Sequence, residues 1–484
     1  MSVSYPPDSA ASENPPVGPA PEEVDHRPRA VLTEGPIAKT LLMFTLPTLA
    51  SSVLQSLNAS INAIWIGRLL GERALSASAN ANSLIFFLLG AVFGLGLAAT
   101  VLVGQSIGAH DLTMAKRTIG TSVCFFGGVS VLMATLGIIF APDVLAAMRT
   151  PPDSLPLAAA YLRVIFIALP GMYLYTFAMM ALRGAGDAKT PFKFLLLSAA
   201  LDITLNPLFI RGAGPIPPMG IAGSALATLI AQWTSLIALV VSLYRRKHFL
   251  RLARGEGHYL RIDREIVRAL LTKGIPMGLQ IVVVSSSMIA MISLVNRYGT
   301  RTTAAYGACF QLWNYIQMPA FAVGSAVSSM AAQNVGAKLW DRVARVTVIG
   351  VVYNILLTGV LVVLVTLVSH QMFGLFLGDN FAAIEIAQHI HSRVSWSFVL
   401  FGVSFVLSSV MRATGAVIPP LGILFVSLWL VRIPFAYMLT PSLGADAVWW
   451  SFGVGSIVSV ILCSVYYRTG HWKRAHMLQT VPAT

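Results

Sequence analysis

One acidic side chain in this sequence lies within a long run of apolar residues, where little water is expected. Of the 19 Asp and Glu residues, only Asp202 lies in the interior of a long apolar run, FLLLSAALDITLNPLFI. An ionised, unpaired carboxylate in such surroundings costs about 3 kcal/mol or more. Asp202 should therefore face a cavity, find hydrogen-bond donors or hold a proton. It can be a site whose protonation follows the side it is open to, or a packed acid that only stabilises the structure.

Two residues that follow Asp202 support a site around it. Asn206 lies four residues on, hence on the same face of a helix, and can hydrogen-bond the acid. Pro207 removes a backbone donor and predicts a hinge at this point. The segment therefore combines a titratable group, an amide partner and a bend.

A second polar stripe lies in the first apolar run. Ser51, Gln55, Asn58 and Asn62 are spaced by four, three and four residues, which places them on one helix face. Asn62 can donate an amide hydrogen bond to Asp202 and join an ion-coupling site. Gln55 and Asn58 are candidates for a substrate cleft. Polar packing between helices explains the same stripe equally well.

The second half of the chain offers amides and one base instead of acids. Gln280, Gln311, Asn314 and Gln317 are candidates for lining a substrate cleft, and aromatic residues near the last three could stack on a cationic solute. Arg432 is the one base inside an apolar run, in WLVRIPF. It can contact an anion or substrate, or serve the fold; the amides can equally be interhelical contacts.

Neither an enzyme nor a metal site is indicated. The three cysteines lie far apart in apolar runs, with no CxxC pattern, and no Cys/His cluster has metal-ligand spacing. His370, His389 and His391 lie near the ends of apolar runs without an acid partner inside them. We therefore expect no cofactor, and ion gradients remain the available energy source.

The composition predicts that lipid surrounds most of the chain. Hydrophobic residues make up 56% and charged residues 11% of the 484, too few charges for a soluble surface. The net charge of +14 is spread over gaps between apolar runs, which argues for membrane orientation and against nucleic-acid binding. Twelve runs are long enough to span a bilayer. They lie near residues 41–66, 82–104, 119–141, 158–182, 192–211, 220–244, 267–296, 304–330, 347–369, 393–412, 417–439 and 445–467.

Charge predicts orientation and the outer boundaries. The termini and alternate gaps hold 24 of the 33 Lys and Arg residues and the other gaps hold eight, so both termini are predicted to be cytoplasmic. Residues 1–35, rich in Pro, Ala and Ser, are predicted to be a disordered tail. Residues 245–266 form a basic cytoplasmic linker, and residues 468–484 a cytoplasmic tail.

The two sides of the linker resemble each other. GQSIGAHDLTMAKR (104–117) pairs with AQNVGAKLWDRVAR (332–345), LRGAGDAKTP (182–191) with MRATGAVIPP (411–420), and LPTLAS (46–51) with IPMGLQ (275–280). The offset stays at 228 or 229 residues, which indicates a duplicated unit of six helices. Because six is an even number, both lobes, residues 36–244 and 267–467, enter the membrane from the same side. An axis along the membrane normal should therefore relate them, with the substrate site between them.

These segments resemble the multidrug and toxic compound extrusion (MATE) family of secondary transporters. IWIGRLLG, GQSIGAHD, LRGAGDAKTP, LDITLNPLFI and GIAGSALAT, then AQNVGA, VMRATG and VRIP, follow in the family's order over residues 36–470. The resemblance implies an all-α polytopic membrane protein with twelve transmembrane helices in two pseudo-symmetric six-helix lobes around a central cleft. It also implies that Asp202 and Asn206 match a cation site of the amino-terminal lobe.

The sequence departs from the family at three places. Asn62 stands where a carboxylate is usual, Val284 or Ser285 where many members carry Glu, and Phe401 near the usual Asp. Without those acids, a proton is a simpler coupling ion than sodium, and the first lobe is where it should bind.

The function expected from this resemblance is antiport that exports amphipathic, cationic organic compounds. The chain should act as a monomer, with small organic substrates and the lipid bilayer as its partners. Its expected location is the plasma membrane, which is the inner membrane if the protein is bacterial. A flippase for a lipid or lipid-linked saccharide is the alternative, although such a cleft usually needs several bases for phosphate.

Overall fold

The computed structural model describes residues 32–147, 150, 153–212, 214, 217–253, 255–378 and 380–478. Within these ranges all regular structure is helical. Most of the expected amino-terminal tail, residues 1–31, lies outside the described residues. The amino-terminal lobe (N-lobe) consists of α1 (Ile37–Gly108), α2 (Leu112–Ala147), α3 (Leu155–Gly184), α4 (Lys189–Arg211) and α5 (Gly220–Arg245).

The carboxy-terminal lobe (C-lobe) repeats this arrangement with more interruptions. It contains α6 (Arg264–Val295), α7 (Thr300–Gly336), α8 (Trp340–Leu367), α9 (Ser369–Leu377), α10 (Phe381–Val394), α11 (Ser397–Thr414), α12 (Ile418–Phe425), a π-helical segment (Val426–Arg432), α13 (Ile433–Leu443) and α14 (Asp446–Thr469). The short α9 and α10 lie between two spans. The segment from α12 to α13 is one continuous span with a π-helical middle.

Twelve helical stretches cross the membrane. Among the described residues, ten are long and apolar enough by composition, and Val92–Gly108 is a shorter apolar stretch. The twelfth, α7, has the length but carries many polar side chains. Large apolar side chains such as Leu367 and Val363 are exposed on the helix surfaces, where lipid replaces water. The predicted all-α class and span number are confirmed by these helices together with the known structures described below.

The first two predicted spans lie end to end in α1. Gly71 has a φ of 81° and a ψ of −175°, so a non-helical kink at this residue separates two helices. The kink lies inside the predicted gap, residues 67–81, and Gly71 can adopt the positive φ because it has no Cβ atom. Sequence patterning therefore predicted the break correctly, but not that a kink would form it in place of a loop.

The two lobes meet where the ends of α1 and α7 cross. A Cβ atom on Gly108 would overlap the carbonyl oxygen of Gln333, and a Cβ atom on Gly336 would overlap the carbonyl oxygen of Gln105. The residues of these two contacts are equivalent in the repeat, 228 positions apart. A pseudo-twofold rotation axis therefore relates the two contacts, as in a symmetric dimer interface. The Gln105 side chain also donates to the carbonyl of Ala413, 2.7 Å away.

Both predicted tails are partly packed. Leu32 is buried, its backbone N–H donates to Gln333 Oε1 (3.2 Å), and its carbonyl accepts from Asn334 Nδ2 (3.1 Å). At the other terminus Trp472 is buried, and its carbonyl accepts from Thr414 Oγ1 (2.8 Å). The disordered assignment of residues 1–35 is therefore wrong for residues 32–35, because an apolar side chain and two amide partners hold them.

The linker between the lobes is also packed and ends at Arg264, where α6 begins. Its 3₁₀ turn, Glu256–Leu260, lies against α2. Lys116 Nζ donates to both carboxylate oxygens of Glu256 (2.6 and 2.8 Å), and Arg117 pairs with Asp263. Gly120 provides space for the carbonyl of Tyr259. The basic linker is thus fixed to the N-lobe by two ion pairs.

Acidification should release this linker. Burial opposes ionisation of Glu256, but the Lys116 ammonium and the Ala253 N–H outweigh it, so its pKa lies below the usual value. A carboxyl group with a lowered pKa stabilises the folded state above about pH 4.3, and this contribution is lost as the pH falls through the folded-state pKa. We expect hydrogen exchange over residues 256–263 to accelerate relative to the intrinsic amide rates as the pH falls below about 4.3 and through the folded-state pKa.

The variant Glu256→Gln should show the same acceleration at neutral pH. The expected change is about two- to fivefold, because a partly exposed ion pair contributes about 0.5–1 kcal/mol. Glu265→Gln removes a nearby exposed carboxylate and is the matched control. Equal exchange in both variants would show that the ion pair does not hold the linker.

Candidate functional site

The carboxylate of Asp202 is the centre of a buried hydrogen-bond network in the N-lobe. Oδ2 accepts from Asn62 Nδ2 at 2.6 Å and from Asn58 Nδ2 at 2.9 Å. Oδ1 accepts from Thr228 Oγ1 at 3.0 Å and from Asn206 Nδ2 at 3.4 Å. The first two donors belong to α1, Thr228 to α5 and Asn206 to α4. The acid therefore joins three helices.

Neutral donors alone satisfy this carboxylate. Asp202 is 3% exposed and Asn206 is fully buried, and no Lys, Arg or His among the described residues pairs with the acid. The network includes a further bond, from Asn206 Nδ2 to Asn62 Oδ1 at 3.1 Å. A buried negative charge held only by dipoles is electrostatically sensitive, since a proton or a cation would change its balance directly.

Two amide oxygens in the network have no partner among the described residues. They are Asn58 Oδ1 and Asn206 Oδ1, and both are buried. If Asp202 is protonated on Oδ2, it needs an acceptor in place of a donor. Rotation of the Asn58 amide would supply one and would end its donation to the carboxylate. The network thus has a built-in alternative arrangement for the protonated acid.

The Asp202 carboxylate lies one side chain away from the protein exterior. Asn58 and Asn62 are half-buried, and Gln55 on the same face is exposed. Ser51, at the start of this stripe, is buried and bonds to the Pro47 carbonyl at 2.8 Å. The predicted stripe is therefore divided. Ser51 is buried and apart from the acid, whereas Gln55, Asn58 and Asn62 extend from the exterior to the Asp202 carboxylate.

The structure brings together three predicted ion-coupling residues and one predicted cleft residue, Asn58. Sequence reasoning missed Thr228, whose hydroxyl donates to Asp202. The available signal was its position as a hydroxyl inside the apolar run of α5, but threonine in a membrane helix usually bonds its own helix backbone. Thr228 also contacts Ser224 O at 3.4 Å, and only the tertiary structure adds the acid. Pro207 lies inside α4, where it leaves the Ile203 carbonyl without its helical donor.

The C-lobe candidates do not form one site. Gln280 Oε1 accepts from Arg412 Nη1 at 3.0 Å, so this amide serves a buried arginine. Gln317 bonds to the backbone carbonyl of Trp313 in its own helix at 3.3 Å. Gln311 and Asn314 are exposed on α7. Their spacing of three residues predicted that the three amides share one face of α7. They differ in exposure because three residues are less than one helical turn, so each amide is rotated from the previous one.

Arg432 lies apart from these amides. It is 3% exposed, at the end of the π-helical segment, with its guanidinium carbon 3.4 Å from the centre of the Phe452 ring. The backbone carbonyls near Pro434 do not accept from it. The residue is therefore buried in aromatic surroundings and does not line an open surface.

The described residues contain no group of three or more Cys, His, Asp and Glu side chains suited to a metal ion. His389 pairs with Asp446 at 2.6 Å at the first residue of α14, where both side chains are partly exposed. His391 is buried between Trp313 and Thr366, and no acid pairs with it among the described residues. No nucleophile and base are joined in this part of the chain as catalysis would require.

Two membrane-embedded lobes related by a pseudo-twofold axis, with one buried carboxylate at a helix junction, define a membrane transporter. A family model described as MatE matches the chain twice, over residues 47–208 and 276–438, and the matches begin 229 residues apart. The chain belongs to the MatE family, the multidrug and toxic compound extrusion transporters. The duplication, the family resemblance and the non-enzymatic class predicted from sequence are confirmed.

Individual relatives extend over nearly the whole chain. The probable multidrug resistance protein YoeA of Bacillus subtilis (strain 168) is 37% identical over 445 residues, which cover 92% of this chain and 96% of that protein. The probable multidrug resistance protein YpnP of the same organism is 32% identical, with 91% and 97% covered. A solved outward-facing structure of a multidrug resistance MATE family transporter superposes with a TM-score of 0.84 at 20% identity, covering 92% of this chain and 99% of that one.

Proposed function

We propose that this transporter exports amphipathic, cationic organic compounds from the cytoplasm in exchange for protons that enter through the N-lobe. The observation that carries the proposal is the Asp202 carboxylate, buried and held by four neutral donors from three helices. Its relatives are named probable multidrug resistance proteins, which supports drug-like organic compounds as cargo. The excess of Lys and Arg at the termini and alternate gaps supports cytoplasmic termini in the plasma membrane.

Protonation of Asp202 is the proposed switch. A proton on Oδ2 ends the donation from Asn58 and Asn62, both of which belong to α1, and leaves one bond to the rotated Asn58 amide. Exchange of two charge-assisted bonds for one neutral bond weakens the contact of α1 with α4, and Pro207 allows α4 to bend where its backbone bonding is incomplete. The proton thereby changes the shape of the space beside α1, where Gln55 is exposed. Deprotonation toward the cytoplasm restores the bonds and the cargo-accepting shape.

A flippase for a lipid-linked saccharide is less compatible with the placement of the bases. Such cargo carries phosphate, which needs accessible arginine or lysine side chains. Arg412 is 6% exposed and bonded to Gln280 and Ser409, and Arg432 is 3% exposed. Neither presents its charge to bulky cargo. The same placement favours cationic cargo, which needs no base in its path.

Proteoliposomes with imposed gradients test this proposal. With an acidic lumen and the cytoplasmic face outward, we expect tetraphenylphosphonium, a cationic probe, to accumulate in the lumen, because protons leave in exchange for it. A protonophore should abolish accumulation, and an equal sodium gradient without a pH difference should not drive it. Accumulation driven by sodium alone would contradict proton coupling. Movement of a polyprenyl phosphate but not of the cation would contradict the proposed cargo.

A further inference from the structure

Arg432 is also a buried ionisable group in a membrane span, and its environment is the opposite of that around Asp202. The guanidinium atoms Nε and Nη2 are buried and have no hydrogen-bond partner among the described residues. The carboxylate of Asp202, in contrast, has four donors. An arginine side chain stays protonated at any physiological pH, so Arg432 cannot lose its charge to escape this burial. Something must accept from its N–H groups.

The ring of Phe452 does not fill this need. It lies over the face of the guanidinium, 3.4 Å from the central carbon, and stabilises the cation through its π system. The N–H groups point outward in the guanidinium plane, so a ring stacked on the face leaves them free. Gly455 allows the stem of Arg432 to pack closely against α14, where an added Cβ would be 3.2 Å from the arginine Cβ. The position of the charge is therefore fixed.

Other unpartnered groups beside Arg432 can also donate. The hydroxyl of Tyr306 is buried without a partner, and Tyr306 lies within electrostatic range of Arg432. Tyr306 packs edge-on against Trp313, which in turn packs against Phe452. Ser427 is buried with a free hydroxyl five residues before Arg432, which is the hydrogen-bond spacing of the π-helix they share. The described residues around the cation thus include two unpartnered hydroxyl groups, yet no protein atom accepts from Nε or Nη2 of Arg432.

The sequence also provides no counter-charge. No Asp or Glu lies in the interior of any apolar run of the second half, and among the described residues no carboxylate pairs with Arg432. The other buried arginine of the lobe, Arg412, differs in this respect, because Gln280 Oε1 and Ser409 Oγ accept from it at 3.0 and 2.7 Å. A water molecule could accept from Arg432 but would leave its charge uncompensated in a lipid-embedded interior.

We infer that the C-lobe binds a small inorganic anion of the chloride class beside Arg432, with the guanidinium edge and the Tyr306 hydroxyl as donors. The burial of Arg432 and the surrounding aromatic rings favour a small anion over a bulky organic one. The bound anion neutralises the guanidinium of Arg432 and holds α13 and the π-helical segment against α14. This site is independent of proton coupling at Asp202.

Thermal unfolding of the purified protein in detergent tests the site. When chloride replaces gluconate at constant ionic strength and pH, we expect a saturable rise of the Tm, because a ligand that binds only the folded state stabilises it. Arg432→Gln should abolish the chloride dependence, and Tyr306→Phe should raise the half-saturating chloride concentration about fivefold or more. Arg297→Gln is the matched control, since Arg297 also lies over a ring, Tyr437, but is exposed.

A wild-type protein that unfolds at the same temperature in chloride and gluconate would overturn the inference, as would an unchanged chloride dependence in Arg432→Gln. If Arg432→Gln does not fold, bromide replaces the variant as the probe. Crystals of the wild-type protein soaked in bromide should show an anomalous difference peak beside the guanidinium edge. Crystals without that peak would contradict the site regardless of how the variant behaves.

Discussion

Replacing Asp202 by asparagine should abolish proton uptake driven by the export of a cationic drug. The asparagine side chain has nearly the same shape, but its amide cannot bind or release a proton, so the proposed switch has no second state. Folding should survive, because the amides of Asn58 and Asn62 can rotate and accept where they now donate. The expected cost is on the order of 1–2 kcal/mol for the rearranged bonds. Proton flux in proteoliposomes and the Tm of the same preparation measure the two effects.

Two variants isolate the titratable group. Thr228→Val removes one donor to Oδ1 but keeps the carboxylate, so transport should fall only several-fold. Asp446→Asn makes the same chemical change in a partly exposed acid at the first residue of α14, paired with His389, and should leave drug-driven proton uptake unchanged. Wild-type proton flux in Asp202→Asn would remove Asp202 from the coupling mechanism, while equal losses in Asp202→Asn and Thr228→Val would indicate a structural role.

The second large effect is expected where α1 and α7 cross. In the double variant Gly108→Ala and Gly336→Ala, each added Cβ would overlap a backbone carbonyl oxygen of the opposite lobe. Such overpacking costs about 1–3 kcal/mol per site, and the lobes can avoid it only by separating at this end. Each 1.4 kcal/mol changes the ratio of closed to open molecules tenfold. Transport should therefore fall at least about tenfold, because the cycle needs the closed arrangement.

Spin labels at exposed positions of the two lobes report this separation directly. Lys189→Cys and Arg345→Cys place them in the N-lobe and C-lobe near the crossing, in a background without the three native cysteines. The distance distribution of the double variant should gain a longer component. Gly359→Ala is the control, since a Cβ atom at Gly359 meets no atom within 4 Å. Unchanged distances and normal transport in the double variant would show that the crossing is not a gate.

Much of the fold could be predicted because the bilayer restricts the choices. Lipid cannot hydrogen-bond the backbone, so each long apolar run had to become a helix, and the number of spans could be counted. The constant repeat offset then fixed two equivalent lobes. The break between the first two spans was predicted at residues 67–81, and the non-helical Gly71 lies there. That a single kinked residue would join the two helices could not be predicted, because the polar composition of this segment also suits a loop.

The candidate site was only partly predictable. Asp202 was conspicuous because an acid in an apolar run is costly, and Asn206 followed from helical spacing. That Asn58 and Asn62 of α1 would donate to the same oxygen required knowledge of which helices adjoin, as did the role of Thr228. The C-lobe amides illustrate the opposite case. Gln280 was a candidate for the cleft, yet it accepts from Arg412, a contact between α6 and α11 that no local pattern encodes.

The sequence by itself determined that this protein is a duplicated, lipid-embedded helical transporter with one buried acid, since these properties follow from residue type and period. The tertiary structure decided which side chains surround that acid, how the first two spans are joined at Gly71, and that Arg432 is buried with two of its nitrogen atoms unpartnered. The physical reason is that solvation and helical period act within each segment. Hydrogen-bond partners and counter-charges come from other helices, and only the packing of the lobes brings them together.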